Sequence, residues 1–105
     1  MEIFFANSKL EEICNNQKLL QKRFGQIGAK IIRRRLDDLR AVKNLEECKR
    51  LPGKYHQLVG DRTGQIAAHV EQPQRLIFRP IGTISENWQE ITQVEILEII
   101  DYHGK

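Results

Sequence analysis

Residues 54–80 read "KYHQLVGDRTGQIAAHVEQPQRLIFRP", and this stretch decides the fold class. It divides into three short runs of strand-forming residues separated by turn chemistry. "KYHQLV" reads as a strand and "GDRTG", with glycine at each end, as a turn. "QIAAHVE" reads as a second strand, "QPQ" as a second turn and "RLIFRPI" as a third strand. Turns this short join antiparallel neighbours. Pro80 has no N–H to give, so the third strand leaves the ladder or reaches an edge there.

Downstream, "GTISENWQE" is a polar loop. "ITQVEILEIID" then reads as a further strand with Val94, Ile96 and Ile99 as its apolar members. Upstream, the hydrophobic period changes. "EIFFA" is a short first strand, and "SKLE" at Ser8–Glu11 has the spacing of a capping box. Leu10, Ile13, Leu20 and Phe24 form an apolar stripe on a first helix that Gly25 ends. "IGAKIIRRRLDDLRAVKN" is a second helix with Ile32, Leu36, Leu39 and Val42 facing the core. "LEECKRL" adds one or two turns before Pro52-Gly53 breaks the chain. The order predicts an α+β fold: an N-terminal strand and two to three helices packed on a small twisted antiparallel sheet.

Length and composition narrow the class. The chain has 105 residues, 40% of them hydrophobic and 30% charged, which suits one globular domain spanning residues 1–105. No repeat, low-complexity tract or linker divides it. No apolar run approaches the ~20 residues of a membrane span. "MEIFF" lacks the basic start of a secretory signal, so a cytoplasmic location is expected. Cys14 and Cys48 stand alone and read as ordinary reduced thiols. No set of four ligands for a structural zinc can be assembled. Charge is uneven: residues 1–50 hold 12 Lys/Arg against 7 Asp/Glu, and residues 51–105 hold 5 against 7. A basic helical half favours polyanions, without choosing among RNA, DNA and an acidic protein.

Several residues carry chemistry. Asp101, Tyr102 and His103 close the last strand, and all three can share a proton. His56 lies in "KYHQL", beside Lys54. His69 in "AAHVE" reads as an ordinary structural or exposed strand histidine. Arg75 opens "RLIF", as a surface ion-pair member or an anion clamp. Arg33, Arg34 and Arg40 form a basic helix face, where Asp37 and Asp38, four residues after the first two, can offset some charge. No dinucleotide, phosphate-loop, zinc-protease or nucleophile-elbow motif is present.

Read together, "KYHQLVGDRTGQIAAHV", "QRLIFRP" and "VEILEIIDYH" resemble the HigB-type (plasmid maintenance killer) toxins of the RelE-like superfamily. The resemblance spans roughly residues 50–103 and rests on a His before a "GDRxG" turn, the "RLIF" strand and the terminal "DYH". The first half of the chain matches only in its strand–helix–helix layout. The resemblance implies a ribosome-dependent endoribonuclease that enters the A site, cuts mRNA there and contacts 16S rRNA. It implies no metal or organic cofactor, and neutralisation by a cognate helix-turn-helix antitoxin of HigA type. It places the catalytic histidine at His56, the terminal triad at Asp101, Tyr102 and His103, and the sheet arginine at Arg75. Some members carry a lysine three residues after the histidine, where this chain has Val59; Lys54 or Arg62 can supply that charge.

The residue chemistry fits this implication. Metal-free RNA cleavage needs a base for the 2′-OH, an acid for the 5′ oxygen and cations for the phosphorane. Imidazole, with a pKa near ~6.5, serves either proton role near neutrality. Asp101 or His103 would handle the 2′ proton, with His56 as the alternative. Tyr102 would stack on or orient a base, and Arg75 would clamp the phosphate. Two rivals remain: a RelE-like module that binds RNA or protein without cutting, and an interaction subunit whose basic half docks an acidic protein.

Overall fold

The computed structural model describes residues 1–82 and 87–101. Five strands, β1 (Glu2–Phe5), β2 (His56–Gln57), β3 (Ile66–His69), β4 (Gln74–Pro80) and β5 (Gln93–Asp101), form one sheet in the order β1-β5-β4-β3-β2. Two helices, α1 (Ser8–Cys14) and α2 (Gln17–Ala41), follow β1, and a 3-10 turn spans Leu45–Arg50. The α+β class stands, but the sheet is mixed rather than antiparallel. β2 to β5 pair antiparallel in succession, while β1 lies parallel to β5, with Ile3 beside Val94 and Phe5 beside Ile96. A strand separated from its partner by the helices and three other strands is free of hairpin geometry, and parallel pairing becomes available.

The helix boundaries also differ from the sequence reading. Asn7, not Ser8, caps α1: its Oδ1 accepts from the Leu10 amide at 2.9 Å. The first helix stops at Cys14 rather than running to Gly25. Asn16 opens α2, its Oδ1 accepting from Lys18 and Leu19 at 3.0 and 3.2 Å. Asparagine is among the best N-cap residues because its side chain fills the place of a missing carbonyl. Gly25 still breaks the helical path inside α2, at φ 78° and ψ 171°, a conformation that glycine adopts without steric cost.

One face of the sheet carries the helices. Leu20, Ala29, Ile32, Leu36 and Leu39 of α2 are fully buried in one cluster with Ile66, Ala68, Leu76, Phe78, Val94 and Ile96. Val42 joins this cluster, as its spacing predicts. The opposite face holds a smaller cluster of Leu58, Ala67 and Ile77, flanked by Leu97 and Ile100. β4 is therefore buried on both sides along Leu76, Ile77 and Phe78. The loop read as polar contains a 3-10 turn at Trp88–Glu90, and its Trp88 is buried in the main core with Lys49 Nζ 5.1 Å above its ring. Among the described residues, no helix is long and apolar enough to cross a membrane.

Phe78 is fully buried at the centre of β4 and meets the Tyr55 ring edge-on at 6.2 Å. Replacing it with alanine leaves a cavity between sheet and helices. Urea denaturation of Phe78→Ala is expected to show a loss of about 3–5 kcal/mol against wild type.

Candidate active site

Antiparallel pairing brings four sequence-distant segments to one end of the sheet. His56 pairs with Ala67, His69 with Arg75, Arg75 with Ile100, and Gln74 with Asp101. The start of β2, the end of β3, the start of β4 and the end of β5 therefore lie side by side. His56, His69 and Arg75 occupy register positions of the face opposite the helices, the face of Ala67 and Ile77. α2 reaches this end too: Arg35 Nε donates to the His69 carbonyl at 2.8 Å.

The turn before β2 fixes His56. Gly53 sits at φ 130°, where a Cβ would stand 2.9 Å from both Arg35 Nε and Tyr55 Cε1; only glycine fits. Its carbonyl accepts from the His69 amide at 2.6 Å. Lys54 follows at φ 47°, a left-handed conformation that costs a non-glycine residue roughly 1–2 kcal/mol. This bend places the Lys54 carbonyl 2.8 Å from His56 Nδ1. A carbonyl can only accept, so Nδ1 carries the hydrogen and Nε2 is the nitrogen left for chemistry.

Arg75 is held on one side. Its Nη1 donates to Gln72 Oε1 at 3.1 Å and to the Pro73 and Gln74 carbonyls at 3.2 and 2.9 Å. Nε and Nη2 meet no protein acceptor among the described residues. That edge of the guanidinium matches two oxygens of a phosphate.

The other predicted positions fare differently. Asp101 ends β5 and is exposed, but it stands opposite Gln74 and alternates with Ile100. Its register position is thus on the helix side, not on the face of Arg75, and two strands separate β5 from His56. The expected cleft between Asp101 and His56 is not formed by these two residues alone. Tyr102 and His103 lie outside the described residues. Lys54 is exposed beside His56. Arg62 is engaged within the fold, its Nη1 2.9 Å from both Gln65 Oε1 and Glu98 Oε2. Arg33 is engaged as well, donating to Gln17 Oε1 at 3.1 Å and to the Cys14 carbonyl, so it ties α1 to α2 and leaves the basic face. Arg40 donates to Asn15 Oδ1 at 3.1 Å and pairs with Asp37 at 3.8 Å. Arg34 is exposed. Both cysteines are buried, and burial pushes Cys14 to about 11 and Cys48 to about 12, which keeps the thiols protonated and inert near neutrality.

His69 is the residue that sequence reasoning passed over. Its ring meets that of His56 edge-on, with centroids 5.8 Å apart and planes at 79°. Burial holds its pKa below the ordinary imidazole value, and the nearby charges of Arg75, His56, Lys54 and Arg35 act in the same direction. The signal was in the sequence. "QPQ" joins two strands closely enough to set His69 across from Arg75, and a strand histidine beside an arginine is rarely indifferent to protonation.

Neither a protein-family model nor a curated protein matches the sequence. Among solved structures, the chain is similar to the YoeB/ParE toxin from Agrobacterium tumefaciens, with a TM-score of 0.58 and 17% sequence identity over 98% of this chain and 100% of that one. The fold is of the RelE/YoeB/ParE toxin type. At this identity the likeness is one of fold alone, and it does not single out a HigB-type relative.

The lowered pKa of His69 has a thermodynamic consequence. The unfolded chain, with imidazole near 6.5, binds that proton more readily than the folded protein does. The contribution is full above this value and is lost as pH falls through the folded pKa. Urea denaturation of wild type and His69→Gln at about pH 7.5 and about pH 5 isolates the effect. Wild type is expected to lose stability relative to the variant at the lower pH; an unchanged difference would mean that His69 titrates alike in both states.

Proposed function

We propose that this protein is the toxin of a toxin–antitoxin pair, a HigB-type endoribonuclease that cuts mRNA in the ribosomal A site without a metal. The observation that carries the reading is that His56 and Arg75 lie on one face at the same end of the sheet, with β3 between them: an imidazole with its Nδ1 tautomer fixed by the Lys54 carbonyl, and a guanidinium with an edge that meets no protein acceptor among the described residues. The toxin fold of the solved relative supports the class. In this reading Arg75 holds the scissile phosphate, and its charge offsets the developing phosphorane. His56 moves a proton at Nε2. Tyr102 and His103 complete the site from the strand that Asp101 ends, Tyr102 by stacking on or orienting the nucleotide, while Asp101 itself takes the other side of the sheet. Attack by the 2′-OH yields a 2′,3′-cyclic phosphate and a 5′-OH. The partners are mRNA and 16S rRNA on the ribosome and a helix-turn-helix antitoxin of HigA type.

Primer extension on message from an in vitro translation reaction tests the activity. Codon-aligned cuts are expected, and positioned acid–base groups contribute about 10²–10⁴-fold each. His56→Ala, and separately deletion of residues 102–105, should each slow cutting by at least about tenfold. The competing reading, a non-catalytic RNA- or protein-binding module with this fold, draws on two features: the displaced register of Asp101 and the valine at position 59. Translation arrest with intact message would establish that reading instead.

Ribosome binding is assigned to the exposed cations Arg34, Arg40 and Lys54. Arg33 and Arg62 are left out because they are half-buried and held by the fold, whereas Arg40, though it bonds Asn15 and pairs with Asp37, stays exposed. Co-sedimentation of Arg34→Glu/Arg40→Glu with ribosomes over a salt series should show weaker binding and a shallower salt slope, by about 0.7–0.9 for each phosphate that the variant no longer neutralises. Arg33→Glu is expected instead to destabilise the helical pair.

A further inference from the structure

We propose that His69 is a second catalytic imidazole, paired with His56, and that it accepts the 2′-OH proton while His56 protonates the leaving 5′ oxygen. The assignment rests on the RNA-cleaving reading above and names the group that reading leaves open.

Position carries it. His69 pairs directly with Arg75 across the β3–β4 ladder, so a phosphate on the guanidinium's open edge lies next to the His69 ring. The His56 ring stands edge-on to it at 5.8 Å. One ribose–phosphate linkage can therefore touch both imidazoles and the arginine. Asp101, the carboxylate that sequence suggested for this role, holds a register position on the other side of the sheet.

A short relay sets the tautomer. Arg75 Nη1 donates to Gln72 Oε1 at 3.1 Å, which turns the Gln72 amide nitrogen toward His69 Nδ1, 3.5 Å away. An amide nitrogen only donates, so Nδ1 presents its lone pair and the ring hydrogen sits on Nε2. At 3.5 Å this contact is too long to be strong, and a substrate hydroxyl can take its place. The groups that face His69 reinforce the neutral ring: His56 and Lys54 from the β2 side, Arg75 from β4 and Arg35 from α2. All four are basic. A base that stays neutral beside a site for polyanions suits the first half of the reaction.

The step balances. The 2′ oxygen bonds to phosphorus as its proton passes to His69 Nδ1. The P–O5′ bond breaks, and the His56 imidazolium, with Nδ1–H still on the Lys54 carbonyl, gives its Nε2 proton to the departing 5′ oxygen. Products are the 2′,3′-cyclic phosphate and the 5′-OH. His69 ends protonated and His56 neutral, and exchange with solvent restores both.

Single-turnover cleavage of ribosome-bound message, measured against pH, tests this for wild type, His69→Gln, His69→Asn, His69→Ala and His56→Ala. Two polar replacements at His69 keep the test independent of one variant's folding. Expected is a loss of about a hundredfold in rate for His69→Gln and His69→Asn, with normal ribosome co-sedimentation. The acidic limb of the pH profile, where wild type loses its base, should disappear in both. Added imidazole should restore part of the His69→Ala rate. If His69→Gln and His69→Asn keep the wild-type rate and profile while His56→Ala does not cut, His69 is not the base and the nuclease reading stands. If wild type leaves message intact, the nuclease reading fails and this assignment falls with it.

Discussion

The pairing of β4 with β5 is the constraint on which the rest of the structure depends. It is the longest ladder in the sheet and it is not regular. Phe78 faces Ile96, but Ile77 faces Glu98, so β5 carries one extra residue between them. A bulge of this kind reverses the facing of every residue beyond it. Before it, Val94 and Ile96 pack under the helices. After it, Ile99 does the same, while Glu98 and Ile100 take positions on the opposite face. Without the extra residue, Glu98 would fall under the helices and Ile99 opposite them. The bulge lets one strand satisfy the core at both ends, and it also sets Ile100 rather than Ile99 across from Arg75 and turns Asp101 away from the face of Arg75.

The site inherits its order from backbone geometry. His69 and Arg75 sit at paired positions of adjacent strands, and His56 stands across from Ala67 on the next strand. The turn at Gly53-Lys54, which leads into β2, is fixed by the His69 amide and by the close approach of Arg35. Strand ends tied to a helix hold functional groups more tightly than a free loop can. The cost is local: a lysine in a left-handed conformation and a glycine with no room for a side chain. Such strain persists only where the surroundings over-determine it, and here both the sheet and α2 do.

Much of this could be read in the sequence. The step from Ile96 to Ile99 in "VEILEII" is three residues after a step of two, which is how a bulge looks in an alternating strand. The helix face through Ile32, Leu36, Leu39 and Val42 follows from a single period. Two things could not be read so directly. Parallel pairing of β1 depends on which sheet edge remains open once the hairpins have formed, and no local pattern encodes that. The roles of Arg33 and Arg62 depend on what folds against them: a helix end for one and Glu98 for the other. In the string of letters, a structural arginine and a solvent-facing one look alike. His69 lay between these cases, with its partner set by the turn length but its importance set by three further cations brought in by tertiary structure.

Charge on the face opposite the helices follows a pattern that bears on function. Toward its middle and far end, arginines are matched: Arg62 with Glu98 at 2.9 Å and Arg79 with Glu95 at 2.7 Å. At the end that gathers His56, His69 and Arg75, the charged groups acting on His69 are basic, with Lys54 and Arg35 joining them, and Asp101 holds a register position on the other side of the sheet. Like charges held together lower the stability of the folded state, and a fold selected for stability alone would place a carboxylate among them. The neighbouring pairs show that strand carboxylates are available on this face. Among the described residues on this face, no carboxylate offsets these groups, which holds His69 toward its neutral form and leaves one edge of Arg75 without a protein acceptor; an anion bound there would relieve the repulsion.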